Sequence, residues 1–185
     1  SGQVRVQVGA TAVNFPDVLL VADKYQIHVP APFIPGSEFA GVVTEVASDT
    51  RDFAVGDRVA GTGLFGAFAE QVCVPTRGLA PIPDGVDDRT AAAFGVAHRT
   101  AYHTLRSVAR IQPGDDVIVL GAGGGVGLAA VQLATALGAR VTAVASSDEK
   151  RSTAAQYGAV SLVNHTCGDA RAALREAVPD GAHAV

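Results

Sequence analysis

The residues best placed to do chemistry are Gly121-Ala-Gly123-Gly124-Gly125-Val126-Gly127, which stand between two apolar stretches. Val117–Leu120 precedes them and has the composition of a buried parallel strand. After them Leu128, Val131, Gln132, Thr135 and Leu137 continue at helical spacing, and Gly138 stands where a helix would stop. A strand, a glycine turn and a helix in that order offer unpaired N–H groups and a positive dipole end. A pyrophosphate can approach them because side chains are missing. The spacing is Gly121-x-x-Gly124-x-x-Gly127 rather than the simplest G-x-G-x-x-G, since Val126 follows Gly123 by three. The flanking strand and helix supply the context that a glycine run alone lacks, and together they predict a dinucleotide site.

The next strand indicates which dinucleotide. An acid about 20 residues past the glycines, at the tip of the second strand, ordinarily holds the ribose hydroxyls of NAD. Here strand 140–145 ends in Ala145, followed by Ser146, Ser147, Asp148, Glu149, Lys150 and Arg151. Ala145 cannot repel a 2′-phosphate, the serines offer hydroxyls, and Lys150 and Arg151 offer attracting charge. This favours NADPH over NADH. In the competing reading Asp148 and Glu149 cap the next helix while Lys150 and Arg151 form its solvated face; Asp148 could also turn inward and favour NAD.

Two patterns position these residues. Through residues 4–80, short apolar runs are punctuated by turn signals such as Pro35-Gly36, Val55-Gly56-Asp57 and Gly63 to Gly66, the texture of a small β-barrel. Residues 14–22 suit a short helix with Pro16 in its first turn. Asp87 or Asp88 can cap a helix through Thr90–Phe94, which Gly95 is expected to break before a second helix from Arg99 to Ala109. From residue 111 onward strands and helices alternate: 117–120, 126–137, 140–145, 148–157, 160–163, 168–177, and a strand beginning at 183. That alternation predicts a parallel sheet with right-handed crossovers. The division expected is 1–97 for the β-rich domain, to which the resemblance described below gives the catalytic role, and 98–185 for the nucleotide-binding domain.

Composition sets outer limits. Among 185 residues, 48% are apolar, ample for a core, and the net charge of −4 argues against a nucleic-acid surface. Cys73 and Cys167 are the only cysteines and form no CxxC, which suits a reducing cytoplasm; Cys73 reads as a small buried hydrophobe. The chain opens directly on an alternating strand at Val4, Val6 and Val8 and closes on the start of another. A longer protein is therefore expected.

Asn14-x-x-Asp17, Gly36-Ser37-Glu38-Phe39-Ala-Gly-Val-Val, Val55-Gly56-Asp57-Arg58-Val59, Thr100-Ala101-Tyr102 and the glycine run occur in order. Together they resemble the medium-chain dehydrogenase/reductase superfamily, most closely its zinc-free NADPH:quinone oxidoreductase (zeta-crystallin-like) branch. The resemblance covers essentially the whole chain. It implies an α/β fold, a GroES-like β-barrel joined to a Rossmann domain, and a homodimer at full length. Zinc members place a cysteine near the position of Asn14 and a histidine at that of Ser37; neither residue here is a usual zinc ligand, so the resemblance implies no metal.

For the reaction, the resemblance implies hydride transfer from NADPH to a quinone or conjugated carbonyl. Conjugation stabilises the developing charge, and the protein needs only a hydrogen-bond donor near the oxygen. Tyr25, eleven residues after Asn14, stands where such enzymes carry a tyrosine; it could equally be a packing residue. Asn14 would orient the nicotinamide ribose or the substrate oxygen, with helix capping as a rival or concurrent role. Thr100 would meet the carboxamide, unless it merely packs its helix. Gly121, Gly123, Gly124, Gly125, Val126 and Gly127 would hold the pyrophosphate, and Ser146, Lys150 and His165 the adenosine end. Glu38, costly to bury alone, is expected to have a partner. Leu19 stands where some relatives have a second tyrosine, against a two-tyrosine mechanism. The alternatives are an enoyl or enone double-bond reductase, or a non-catalytic NADPH-binding crystallin-like or sensor protein.

Overall fold

The computed structural model describes residues 2–185. One compact unit ends at Val96 and a second runs Ala97–Val185.

The first unit is an antiparallel sheet. β1 (Gln3–Ala12) lies between β2 (Glu38–Val46) and β4 (Gln71–Pro75); β3 (Arg58–Thr62) and β5 (Leu79–Pro81) complete the order β4-β1-β2-β3-β5. The period-two pattern read at Val4 and Val6 places both inward, where they pack with Phe39, Val43, Val59, Ala67 and Val72. Cys73 corrects the sequence expectation. It pairs across the strands with Arg5 and is exposed, because its neighbours Val72 and Val74 are the residues that take the inward phase of β4.

Between β1 and β2 stands α1 (Phe15–Val21), with Pro16 in its first turn as expected. α2 (Asp88–Tyr102) is a single helix, continued by a π-helical turn over His103–Val108. The predicted break at Gly95 does not occur: the glycine is retained inside the helix by a close approach from β2, described below. Asp87 accepts from Thr90 N–H at 2.8 Å and from its hydroxyl at 3.1 Å, which holds the Asp87 carboxyl below its ordinary value.

The second unit is a parallel sheet. β6 (Asp116–Leu120) pairs with β7 (Arg140–Ala145), and β7 with β8 (Ser161–Asn164). Helices α3 (Gly125–Ala136), α4 (Asp148–Gln156) and α5 (Ala170–Ala177) make the connections. On the open side of β6 the chain returns: Val117 bridges Ala184 in parallel, and Ile118 N–H donates to Ala184 O at 2.9 Å. The spatial order is therefore β8, β7, β6 and then the returning segment, so the winding reverses at β6. Ligands of open α/β sheets bind at such a switch point, outside the carboxyl ends of the strands. Val117, Val119, Val131, Val141 and Ala143 form the core beneath it.

Candidate functional site

The glycine loop opens at the end of β6. Gly124 N–H donates to Gly121 O at 3.0 Å, and Leu128 N–H closes the first turn of α3 onto Gly124 O at 2.8 Å. A Cβ on Gly127 would lie 2.3 Å from Gly121 O, so only glycine lets α3 start this close to the loop. A Cβ on Gly125 would meet nothing within 4 Å, which marks open space over the helix start.

That start is unlike the others. Asp87 caps the first turn of α2, Ser147 Oγ accepts from Lys150 N–H in α4, and Asp169 accepts from Arg171 and Ala172 in α5. α3 has no side-chain cap and no acid in its first turn. Its leading N–H groups lack intrahelical partners by geometry, so they carry an uncompensated positive end. The donor set fits a pyrophosphate. A cavity of about 600 Å³ within this unit is lined by Leu120, Gly121, Gly125 and Val126, with Leu105 and Ala184 among its apolar walls.

Lys150 lies over this loop. A Cβ on Gly123 would stand 2.6 Å from Lys150 Cγ and 2.8 Å from Cδ, so the lysine stem crosses the glycine backbone. Sequence spacing showed Lys150 near the strand tip but not this crossing. Arg151, the other candidate cation, is engaged: Nη1 donates to Ala145 O at 3.2 Å and Nη2 pairs with Asp148. Asp148 points outward with a 98% exposed side chain and does not turn toward the ribose position. Ser147 is the α4 cap, and Ser146 O accepts from Thr166 Oγ1 at 3.3 Å, which brings the loop carrying exposed His165 beside the tip of β7. Thr100 is exposed on α2, and its carbonyl accepts from Thr104 Oγ1 at 3.0 Å.

In the antiparallel unit, Asn14 stands at the start of α1, and its N–H donates to Asp17 Oδ2 at 2.7 Å. Asn14 and Asp17 stand as a capping box at the start of α1, with the Asp17 N–H held by the Asn14 main-chain O at 3.1 Å. Asn14 Nδ2 also donates to Glu38 Oε1 at 2.8 Å and approaches Ser37 Oγ at 3.3 Å. The second Glu38 oxygen accepts from Val96 N–H at 2.8 Å, so this 1% exposed carboxyl has the partners its burial demands. Asp17, 2% exposed, keeps Oδ1 without a hydrogen-bond partner among the described residues. Tyr25 is half-buried in the segment after α1, and its hydroxyl enters none of the described hydrogen bonds. Among the described residues no three His, Cys, Asp or Glu side chains converge on a metal position. The triad of Asn14, Glu38 and Val96 was not read from sequence. The sequence signals for it were Glu38, expected to have a partner, and Gly95, a glycine inside a helical pattern.

Known proteins bear on both units. The family described as alcohol dehydrogenase GroES-like domain matches residues 1–84, and that described as zinc-binding dehydrogenase matches 125–185. The mouse quinone oxidoreductase-like protein 2 is 41% identical over 180 residues, covering 97% of this chain and 51% of that protein. The chain thus spans about half the length of the curated relatives it matches. The Escherichia coli quinone oxidoreductase solved with NADPH superposes with a TM-score of 0.91 at 29% identity, covering 96% of this chain and 55% of that one. The CurK enoyl reductase superposes at 0.86 with 28% identity, covering 97% and 56%.

Proposed function

Because the chain belongs to the medium-chain dehydrogenase/reductase superfamily, we propose that the protein is a zinc-independent, NADPH-dependent reductase of quinones or conjugated carbonyls. The observation that carries the cofactor reading is the bare, acid-free start of α3 with the Lys150 stem lying across its loop. Gly124, Gly125, Val126 and Gly127 hold the pyrophosphate by main-chain N–H groups, which a side chain at Gly125 would obstruct. Ser146 and Lys150 take the 2′-phosphate; His165, on the adjoining loop, lines the same end. Arg151 instead braces the strand tip through Ala145 O. Thr100 meets the carboxamide. The bound nicotinamide supplies the hydride.

Tyr25 donates its hydroxyl proton to the acceptor oxygen as charge develops there, a task for which its hydroxyl has no competing partner among the described residues. Asn14 and Ser37, at the positions where zinc relatives place ligands, are bonded to each other, and Asn14 also donates to Glu38. Their chemistry is that of a hydrogen-bond network, and this supports a zinc-independent reaction. The quinone substrate is favoured by the names of the mouse and E. coli proteins.

The CurK neighbour favours a second reading, reduction of an enoyl double bond. A substrate panel on the intact protein separates the two. Turnover of quinones with NADPH supports the first, with Tyr25→Phe lowering kcat about 100-fold while cofactor Kd holds. Turnover of enoyl thioesters alone supports the second, and tight NADPH binding with no turnover of either contradicts both.

A further inference from the structure

The Asn14 side chain has a fixed polarity. A primary amide brings two donors on nitrogen and an acceptor oxygen with two lone pairs. Both donors face inward: Nδ2 lies 2.8 Å from Glu38 Oε1 and 3.3 Å from Ser37 Oγ. Glu38 in turn uses both oxygens as acceptors, the second toward Val96 N–H at 2.8 Å. Turning the amide over would set Asn14 Oδ1 against a carboxylate oxygen in a site only 1% exposed at Glu38, a repulsion without solvent to relieve it. Gly95 permits the arrangement. A Cβ there would lie 2.9 Å from Glu38 Oε2 and 2.7 Å from Thr62 Cγ2, so a side chain would drive β2 and α2 apart.

We infer that Glu38 is a positioning residue that holds Asn14 so that only the acceptor Oδ1 remains for a bound small molecule. Oδ1 keeps a lone pair for it, since the Asp17 N–H is held by the Asn14 main-chain O at 3.1 Å. The group it takes is a hydroxyl, which can donate; the carbonyl oxygen of an acceptor cannot bind there. This restricts Asn14 to a hydroxyl-bearing group, either the nicotinamide ribose or an acceptor oxygen once it is reduced. The identity of the ligand rests on the proposed function, whereas the polarity belongs to the free protein. The hydroxyl can come from the cofactor ribose or from the reduced acceptor.

A charge swap tests the arrangement. Glu38→Gln leaves two donors, Asn14 Nδ2 and Val96 N–H, facing a single acceptor, and Asn14→Asp sets two carboxyl groups face to face. In Asn14→Asp/Glu38→Gln the new glutamine donates to the new aspartate and still accepts from Val96, and the aspartate keeps an acceptor free. Side-chain amide signals of Asn14 in ¹⁵N spectra of the ligand-free intact protein should move in Glu38→Gln and exchange faster. NADPH Kd, measured without acceptor, or the inhibition constant of the hydroquinone product should worsen about tenfold in each single variant. The swap should return to within about threefold of wild type. A change in Kd assigns the hydroxyl to the cofactor, and a change only in the inhibition constant of the hydroquinone product assigns it to the reduced acceptor. An unmoved Asn14 amide in Glu38→Gln, or a swap as impaired as the worse single variant, overturns the inference. If the wild-type protein binds no nicotinamide dinucleotide, the functional reading fails while the amide spectra still decide the polarity.

Discussion

At the level of single residues, the two cations read together from sequence separate in the structure. Lys150 and Arg151 follow one another, yet Arg151 is held by Ala145 O and Asp148, whereas Lys150 reaches across Gly123. In the proposed reading, the charge that meets a 2′-phosphate is therefore that of Lys150. Lys150→Ala should raise the Kd of NADPH about tenfold and that of NADH less than about twofold, because only one of them carries the phosphate. Fluorescence titration of both cofactors checks this, and equal changes would contradict the NADPH preference. Asp148, whose inward turn would have favoured NAD, is nearly fully exposed. Spacing could place these three residues at a strand tip. It could not show which would turn inward, because that depends on the neighbouring glycine backbone.

At the level of elements, the loop glycines divide by what their missing Cβ would meet. Gly127→Ala forces a contact with main chain and should destabilise the protein by about 1–3 kcal/mol, seen as a lower Tm. Gly125→Ala meets nothing and should leave Tm within a degree or two while weakening NADPH binding, because its methyl occupies the pyrophosphate path. Equal stability losses would show that the open space at Gly125 is not real. The strand, turn and helix of this region were legible from sequence because apolar periodicity and glycine placement are local signals. The continuous α2 was not. Gly95 looks like a breaker by propensity, and its reason for being there, a carboxylate arriving from β2, is a tertiary contact 57 positions away by numbering from Glu38. Cys73 failed for a related reason, since the phase of β4 is set by its pairing with β1.

For the whole molecule, pH acts through carboxylates that the fold pairs. Arg140 grips Asp116 with two bonds, Nε to Oδ1 at 2.8 Å and Nη2 to Oδ2 at 2.5 Å. That hydrogen bonding lowers the Asp116 carboxyl from its ordinary 3.8, and the Thr90 N–H does the same for Asp87. A carboxyl lowered in the folded state stabilises it fully above the unfolded value. The contribution is lost as pH falls through the folded value. The stability gap between wild type and Asp116→Asn should therefore shrink as pH is lowered from about 5 to about 2, measured by denaturant unfolding; a constant gap would contradict the pairing. Among the described residues no helix is long and apolar enough to cross a membrane, and the two units divide the labour between hydrogen-bonding side chains and a main-chain anion cradle. The central claim is that this division serves hydride transfer from NADPH to a conjugated acceptor. Its most direct test is a single-turnover measurement on the intact protein, following NADPH absorbance after mixing with a quinone. The account predicts oxidation of one NADPH per quinone reduced, much faster than with NADH at equal concentration. Bound NADPH that stays reduced in the presence of quinones and enones would contradict it.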